Sequence, residues 1–168
     1  MVDSKEDEGW VVVHHHLRQL AGASKEANTV EDLIEDAGYD VDLVKKKGAT
    51  KARVVEAMRG SDVVHLATHG EPEGLFFAGT SAAEATLSMA EVHALELRRT
   101  KLVVLSACDT FKGELRSDGV VGITRAFVAA GAQTLVASLW KVDDAATLEL
   151  MRRFYEQLFK DADGDVQG

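Results

Sequence analysis

Cysteine is nearly absent from this chain: Cys108 is the only one in 168 residues. That excludes an internal disulfide framework and fits a reducing, cytoplasmic setting better than a secreted one. Proline also occurs once, and with 14 glycines the composition is not that of a disordered or collagenous chain. No run approaches the roughly 20 consecutive apolar residues of a transmembrane helix. The N-terminus has no signal-peptide core either, so no membrane is expected as a partner. Positive charge is in deficit, with 19 Lys and Arg against 28 Asp and Glu and a net charge of −9. So acidic a chain repels a phosphate backbone, which removes nucleic acid from the expected partners. Glycine patterns of the P-loop or dinucleotide type follow none of the apolar β runs, and no cofactor is expected. What remains is one domain, long enough for a sheet with helices on both faces.

The lone cysteine sits in an informative place. In Lys101–Thr110, KLVVLSACDT, the apolar run Leu102–Leu105 suits a strand covered on both faces. Small residues and then Asp109 and Thr110 follow, so Cys108 lies where a buried strand runs out. Ligands and reacting groups collect at the carboxyl ends of parallel strands, although a free cysteine is often only a small buried hydrophobe. Val63–Gly70, VVHLATHG, has the same form and leaves His69 at a strand end. If the two strands are neighbours, about 4.8 Å apart, the imidazole can take the thiol proton and make a nucleophilic thiolate. Gly70 offers a backbone N–H for an oxyanion. A phosphotyrosine-type phosphatase needs an arginine six residues after its cysteine, and position 114 is Glu114.

The remaining elements follow from periodicity and turn signals. Residues 1–9 read as an acidic, flexible lead-in. Trp10–Val13 is a first strand, extended by His14, His15 and His16. Alternate strand residues point to opposite faces, so these histidines suit strand-end packing better than a metal site. Ser24 is placed as the N-cap of a helix reaching Ala37, and Tyr39–Val44 as a second strand. Lys45, Lys46 and Lys47 read as a solvated turn. Thr50 caps a short helix that stops at Gly60, and the third strand ends at His69. His65, inside that strand, reads as a hydrogen-bonded core residue. Glu71–Thr86 has no helical period and suggests a hairpin or flap. Ser88 with Glu91 forms a capping box, and Leu87 with Val92 a hydrophobic staple, for a helix running to Arg98. Beyond Cys108, a polar loop, Phe111–Ser117, leads into a helix over Asp118–Ala130, with Val121, Phe127 and Val128 buried. Gln133–Trp140 is the fifth strand, and Asp143 or Asp144 caps the last helix. Leu148, Met151, Phe154, Tyr155, Leu158 and Phe159 form that helix's apolar face. The alternation predicts an α/β fold with a parallel sheet in the order 2-1-3-4-5. The domain spans residues 10–160, with a polar tail at 161–168.

HLATHG, LVVLSACDT and DGVVGITRAFVAAGAQTLVASLWKVDDAATLELMRRFYEQL together resemble the CHAT domain. The resemblance covers about residues 23–160. It implies a caspase-like three-layer sandwich and a cysteine peptidase module, often joined to tetratricopeptide repeats, acting on protein or peptide substrates. On the matching positions it implies His69 as catalytic base and acid and Cys108 as nucleophile. The N–H groups of Gly70 and Cys108 would form the oxyanion hole. Ser138–Asp143 corresponds to the loop that pairs with substrate, which implies substrate contacts from Ser138, Trp140 and Asp143, and also from Asp109. Asp143 serves equally as a plain helix cap. Family members continue past the final helix to a further strand rich in aromatics, whereas this chain ends in a polar tail. The fifth strand is therefore expected to be an open edge that can self-associate with another copy. Two functions stand: a Cys–His endopeptidase, favoured by the presence of both residues, and a catalytically weak or inactive interaction module on the same fold.

Overall fold

Short strands, the central pair Val63–Ala67 and Leu102–Leu105 largely apolar and buried throughout, build the main sheet. The computed structural model describes residues 10–14, 21–71, 74–106, 117–138 and 143–161. In chain order these form β1 (Trp10–His14), α1 (Ala21–Asp36), β2 (Val41–Lys45), α2 (Lys51–Arg59), β3 (Val63–Ala67), β4 (His69–Glu71) and β5 (Gly74–Phe76). There follow α3 (Ala82–Ala85), β6 (Thr86–Ser88), α4 (Met89–His93), β7 (Leu102–Leu105), α5 (Ser117–Ala129), β8 (Thr134–Ala137) and α6 (Asp144–Asp161). The five-stranded sheet runs β2-β1-β3-β7-β8, all pairs parallel. This is the expected order. A separate antiparallel sheet, β4-β5-β6, holds the segment read as a hairpin or flap.

Alternation along the central strands divides the core in two. Val64, Leu66, Val103 and Leu105 pack with Val54 and Met58 of α2, Val92 of α4, and Ile123 and Phe127 of α5. Val63, Leu102 and Val104 face the other way, onto Val30 and Ile34 of α1 and Met151 and Tyr155 of α6. Each such side chain contributes on the order of 2 kcal/mol by leaving water. Both faces of β3 and β7 are thus covered, which is why they read as continuous apolar runs.

His65 is the polar exception, and it is buried with its needs met. Its Nδ1 lies 3.0 Å from the Tyr155 hydroxyl and its Nε2 3.1 Å from Glu26 Oε1. Burial first, and the Glu26 carboxylate second, push the Tyr155 phenol above its ordinary value. It therefore keeps its proton and can donate to Nδ1, leaving Nε2–H to donate to Glu26. One polar cluster ties α1, β3 and α6 together.

The local signals held at several ends. Thr50 accepts from the Arg53 N–H. The capping box of Ser88 and Glu91 is complete, and Leu87 and Val92 are buried. Lys51 and the Ser88 amide hold the Glu91 carboxyl down at about 2.

Several expectations need correction. The third strand ends at Ala67, not His69; Thr68 turns the chain with its hydroxyl donating to the Phe76 carbonyl, and His69 opens β4. Ser24 lies inside α1, which starts at Ala21, since Ala21 and Ala23 are strong helix formers. The helix expected to reach Arg98 stops at His93. Leu95 and Leu97 are buried on either side of an exposed Glu96, a two-residue alternation that no helix allows. Val128 is exposed, because the buried stripe of α5 is Ile123, Ala126 and Phe127, continued just past the helix by Ala130. The fifth strand is shorter than 133–140 among the described residues, and Asp161 belongs to α6 rather than to a tail. Among the described residues β8 pairs only with β7 and is an edge strand. Among the described residues neither β1 nor β4, β5 or β6 joins it.

Candidate functional site

Adjacency of β3 and β7 is the condition on which a His69–Cys108 pairing depends, and it is met. The strands run parallel in a register from Val63↔Leu102 to Leu66↔Leu105, and the Ser106 N–H continues the ladder to the Leu66 carbonyl at 3.0 Å. Their carboxyl ends therefore stand side by side. His69 follows the end of β3 by two residues and is half-buried, with Gly70 buried beside it. Cys108 lies two residues beyond Ser106, outside the described residues, as do Asp109 and Trp140.

His69 owes its position to the small antiparallel sheet. It pairs with Phe76, Gly70 with Leu75 and Glu71 with Gly74, while β5 pairs in turn with β6. The flap is fastened to the main body by Lys51, whose Nζ donates to the Ala83 carbonyl at 2.6 Å and to Glu91 at 2.8 Å. Gly74 is the tightest point. Its φ is +151°, and a Cβ there would stand 2.2 Å from the Leu87 carbonyl oxygen, a backbone atom that cannot swing aside. We expect Gly74→Ala to separate β5 from β6 and to lower stability by about 2 kcal/mol or more. A urea titration checks this; an unchanged midpoint would mean that the flap is not fixed at this residue.

The remaining site residues divide. Ser138 follows β8 directly, its N–H 3.4 Å from the Leu105 carbonyl, so it lies at the carboxyl rim beside the end of β7. Asp143 is exposed and caps α6: its Oδ1 accepts from the Ala145 and Ala146 amides at 3.0 and 3.3 Å. This is the helix-cap role named for it from sequence. From sequence Ser106 reads only as a small residue after the strand, yet it is buried at the rim and its hydroxyl has no hydrogen-bond partner among the described residues. A polar residue directly after four apolar strand residues was the available signal. Among the described residues no group of histidines, cysteines and carboxylates is arranged to hold a metal ion. No described helix is long and apolar enough to cross a membrane. An open depression of about 680 Å³, lined by Asp40, Asp42, Arg53 and Ser61, lies at the opposite, amino ends of the strands.

Comparison with known proteins adds family and fold. A family model described as "CHAT domain" matches residues 3–165. "Tetratricopeptide repeat protein 28" of Mus musculus is 30% identical over a stretch covering 66% of this chain and 6% of the relative. The Homo sapiens protein of the same name is 43% identical over 45% of this chain and 3% of its own length. The chain thus corresponds to a small part of these relatives. Among solved structures, a flavodoxin from Streptococcus pneumonia TIGR4 superposes with a TM-score of 0.56 at 18% identity, covering 91% of this chain and 99% of the flavodoxin. A short-chain flavodoxin associated with a bacterial microcompartment gives 0.51 at 19% identity, covering 92% and 99%. At that identity the likeness concerns the fold alone. The shared 2-1-3-4-5 order accounts for it, and a shared fold carries no function by itself.

Proposed function

We propose that this chain, which belongs to the CHAT domain family, is a cysteine endopeptidase whose dyad is His69 and Cys108. The observation that carries the reading is the parallel pairing of β3 with β7, which brings the carboxyl ends leading to the two residues side by side. In this reading His69 takes the Cys108 proton, and the thiolate attacks a peptide carbonyl carbon. The oxyanion is held by the Gly70 and Cys108 amides. Collapse breaks the C–N bond, His69 returns the proton to the departing amine, and water then hydrolyses the thioester. Ser138, Asp109, Trp140 and Asp143 are the proposed substrate contacts, with Asp143 already engaged in capping through one oxygen. The two curated relatives are tetratricopeptide repeat proteins, and we propose that the domain works beside such repeats in a longer protein.

A peptidyl chloromethyl ketone tests the dyad directly, since the thiolate displaces chloride and leaves a stable thioether. Labelling at Cys108 in the parent, lost in His69→Ala, is the expected result. Failure to label Cys108 while a small thiol reagent still reaches it would favour the non-catalytic interaction module.

A further inference from the structure

We propose that Ser106 is a substrate-positioning residue, and that the missing partner of its hydroxyl is a polar group of the bound peptide. The inference rests on the peptidase reading and deepens it.

Ser106 is 3% exposed, and its Oγ makes no hydrogen bond among the described residues. A hydroxyl removed from water without a replacement partner is costly, and native cores rarely contain one. Where one persists, strain, a chemical role, or a partner from outside the chain such as a water, an ion or a ligand accounts for it. The location points to the ligand. Ser106 is the residue that immediately follows β7, and its amide still belongs to the ladder with Leu66. The β7–β8 register runs from Leu102↔Thr134 to Leu105↔Ala137, so the next rung sets Ser106 beside Ser138. On the other side the next rung of the β3–β7 register sets it beside Ala67, two residues before His69. Ser106 therefore occupies the middle of the carboxyl rim, between the segment that delivers the histidine and a serine already proposed to touch substrate. Strand alternation puts its side chain on the same face as Val104, toward α1 and α6. Ala67, its neighbour on β3, is small and apolar and offers no side-chain partner. The neighbouring hydroxyl of Thr68 is already committed to the Phe76 carbonyl. Among the described residues the Ser106 hydroxyl is the buried rim group with hydrogen-bonding capacity left to give.

A residue of this kind has a signature that a structural serine lacks. Removing its hydroxyl relieves the resting protein of an unsatisfied group, so stability holds or rises, while recognition of peptide falls. The experiment compares parent and Ser106→Ala by thermal unfolding and by two rates of alkylation at Cys108. The probes are iodoacetamide and a set of dipeptidyl chloromethyl ketones with an acidic, basic or apolar residue next to the ketone. The expected outcome is an unchanged or raised midpoint, an unchanged iodoacetamide rate, and about a tenfold slower reaction with the ketone the parent prefers. A midpoint lower by several degrees shows that the hydroxyl has a structural partner and overturns the proposal. An equal fall in both rates assigns it to the thiol rather than the peptide and also overturns it. An unchanged rate with the preferred ketone overturns it while leaving the peptidase reading intact. A parent that reacts with no ketone in preference to iodoacetamide removes both.

Discussion

On the proposed mechanism, replacing Cys108 with alanine is expected to abolish peptide cleavage, and Cys108→Ser to lower it by at least about 10³-fold. A hydroxyl is a far weaker nucleophile unless its base is tuned to take a much less acidic proton. The expected fall in turnover for His69→Ala is about 10²- to 10⁴-fold, the usual share of a general acid–base group. Gly70→Ala costs less than losing His69, because the N–H survives and only its approach is crowded; losing an oxyanion donor outright costs about 10²- to 10³-fold. Asp109→Ala is expected to change the preferred peptide more than the rate of Cys108 with a small thiol reagent. Initial rates on a peptide library for the six proteins, parent included, check the ranking. Cleavage by Cys108→Ala at the parent rate would leave the interaction module as the better account.

The largest stability effect belongs to a residue far from this chemistry. Glu26→Ala removes the carboxylate 3.1 Å from His65 Nε2 and leaves that buried nitrogen without its acceptor. Breaking a buried charged or polar pair on one side costs about 3 to 5 kcal/mol. For a chain of this size that is a fall in melting temperature of about 10 °C. Glu26→Gln keeps an acceptor and a similar volume and loses much less. Double replacement with apolar residues, Glu26→Met with His65→Leu, recovers most of the loss, since no orphaned polar group remains except the Tyr155 hydroxyl. Thermal or urea unfolding of the three proteins decides it. Equal stability of Glu26→Ala and Glu26→Gln would mean that the Glu26–His65 contact does not hold α1 to the sheet.

The parts of the fold that were legible in the sequence are those with local causes. Val63–Ala67 and Leu102–Leu105 announce themselves as doubly covered strands because both of their faces are packed. Ser88 and Glu91 mark the start of α4 because their bonds span only three residues. His65 could be read as a satisfied core group, yet its partners could not be named: Glu26 and Tyr155 lie 39 and 90 residues away in sequence. Distance in the chain also explains the misjudged end of α4. Leu95 and Leu97 read as a helical continuation until the Leu97 amide is found bonded to the Ala130 carbonyl, a tertiary contact no window of ten residues contains. At the site, the strand ends were legible and the flap that carries His69 was legible only as an irregular segment. Its antiparallel pairing depends on Gly74 lying against Leu87, thirteen positions on. Ser106 escaped notice because small polar residues at strand ends are ordinary; only its burial without a partner sets it apart.

The central claim is that a peptide carbonyl becomes covalently attached to Cys108 during turnover. Acid quenching of the parent protein mixed with a peptide ester, followed by intact-mass and fragment mass spectrometry, reads this directly. The expected result is an added acyl mass confined to the fragment that carries Cys108, greatly reduced in His69→Ala and absent in Cys108→Ala. An acyl group on another residue, or peptide hydrolysis in the parent with no acyl-enzyme under any quench time, would contradict the account.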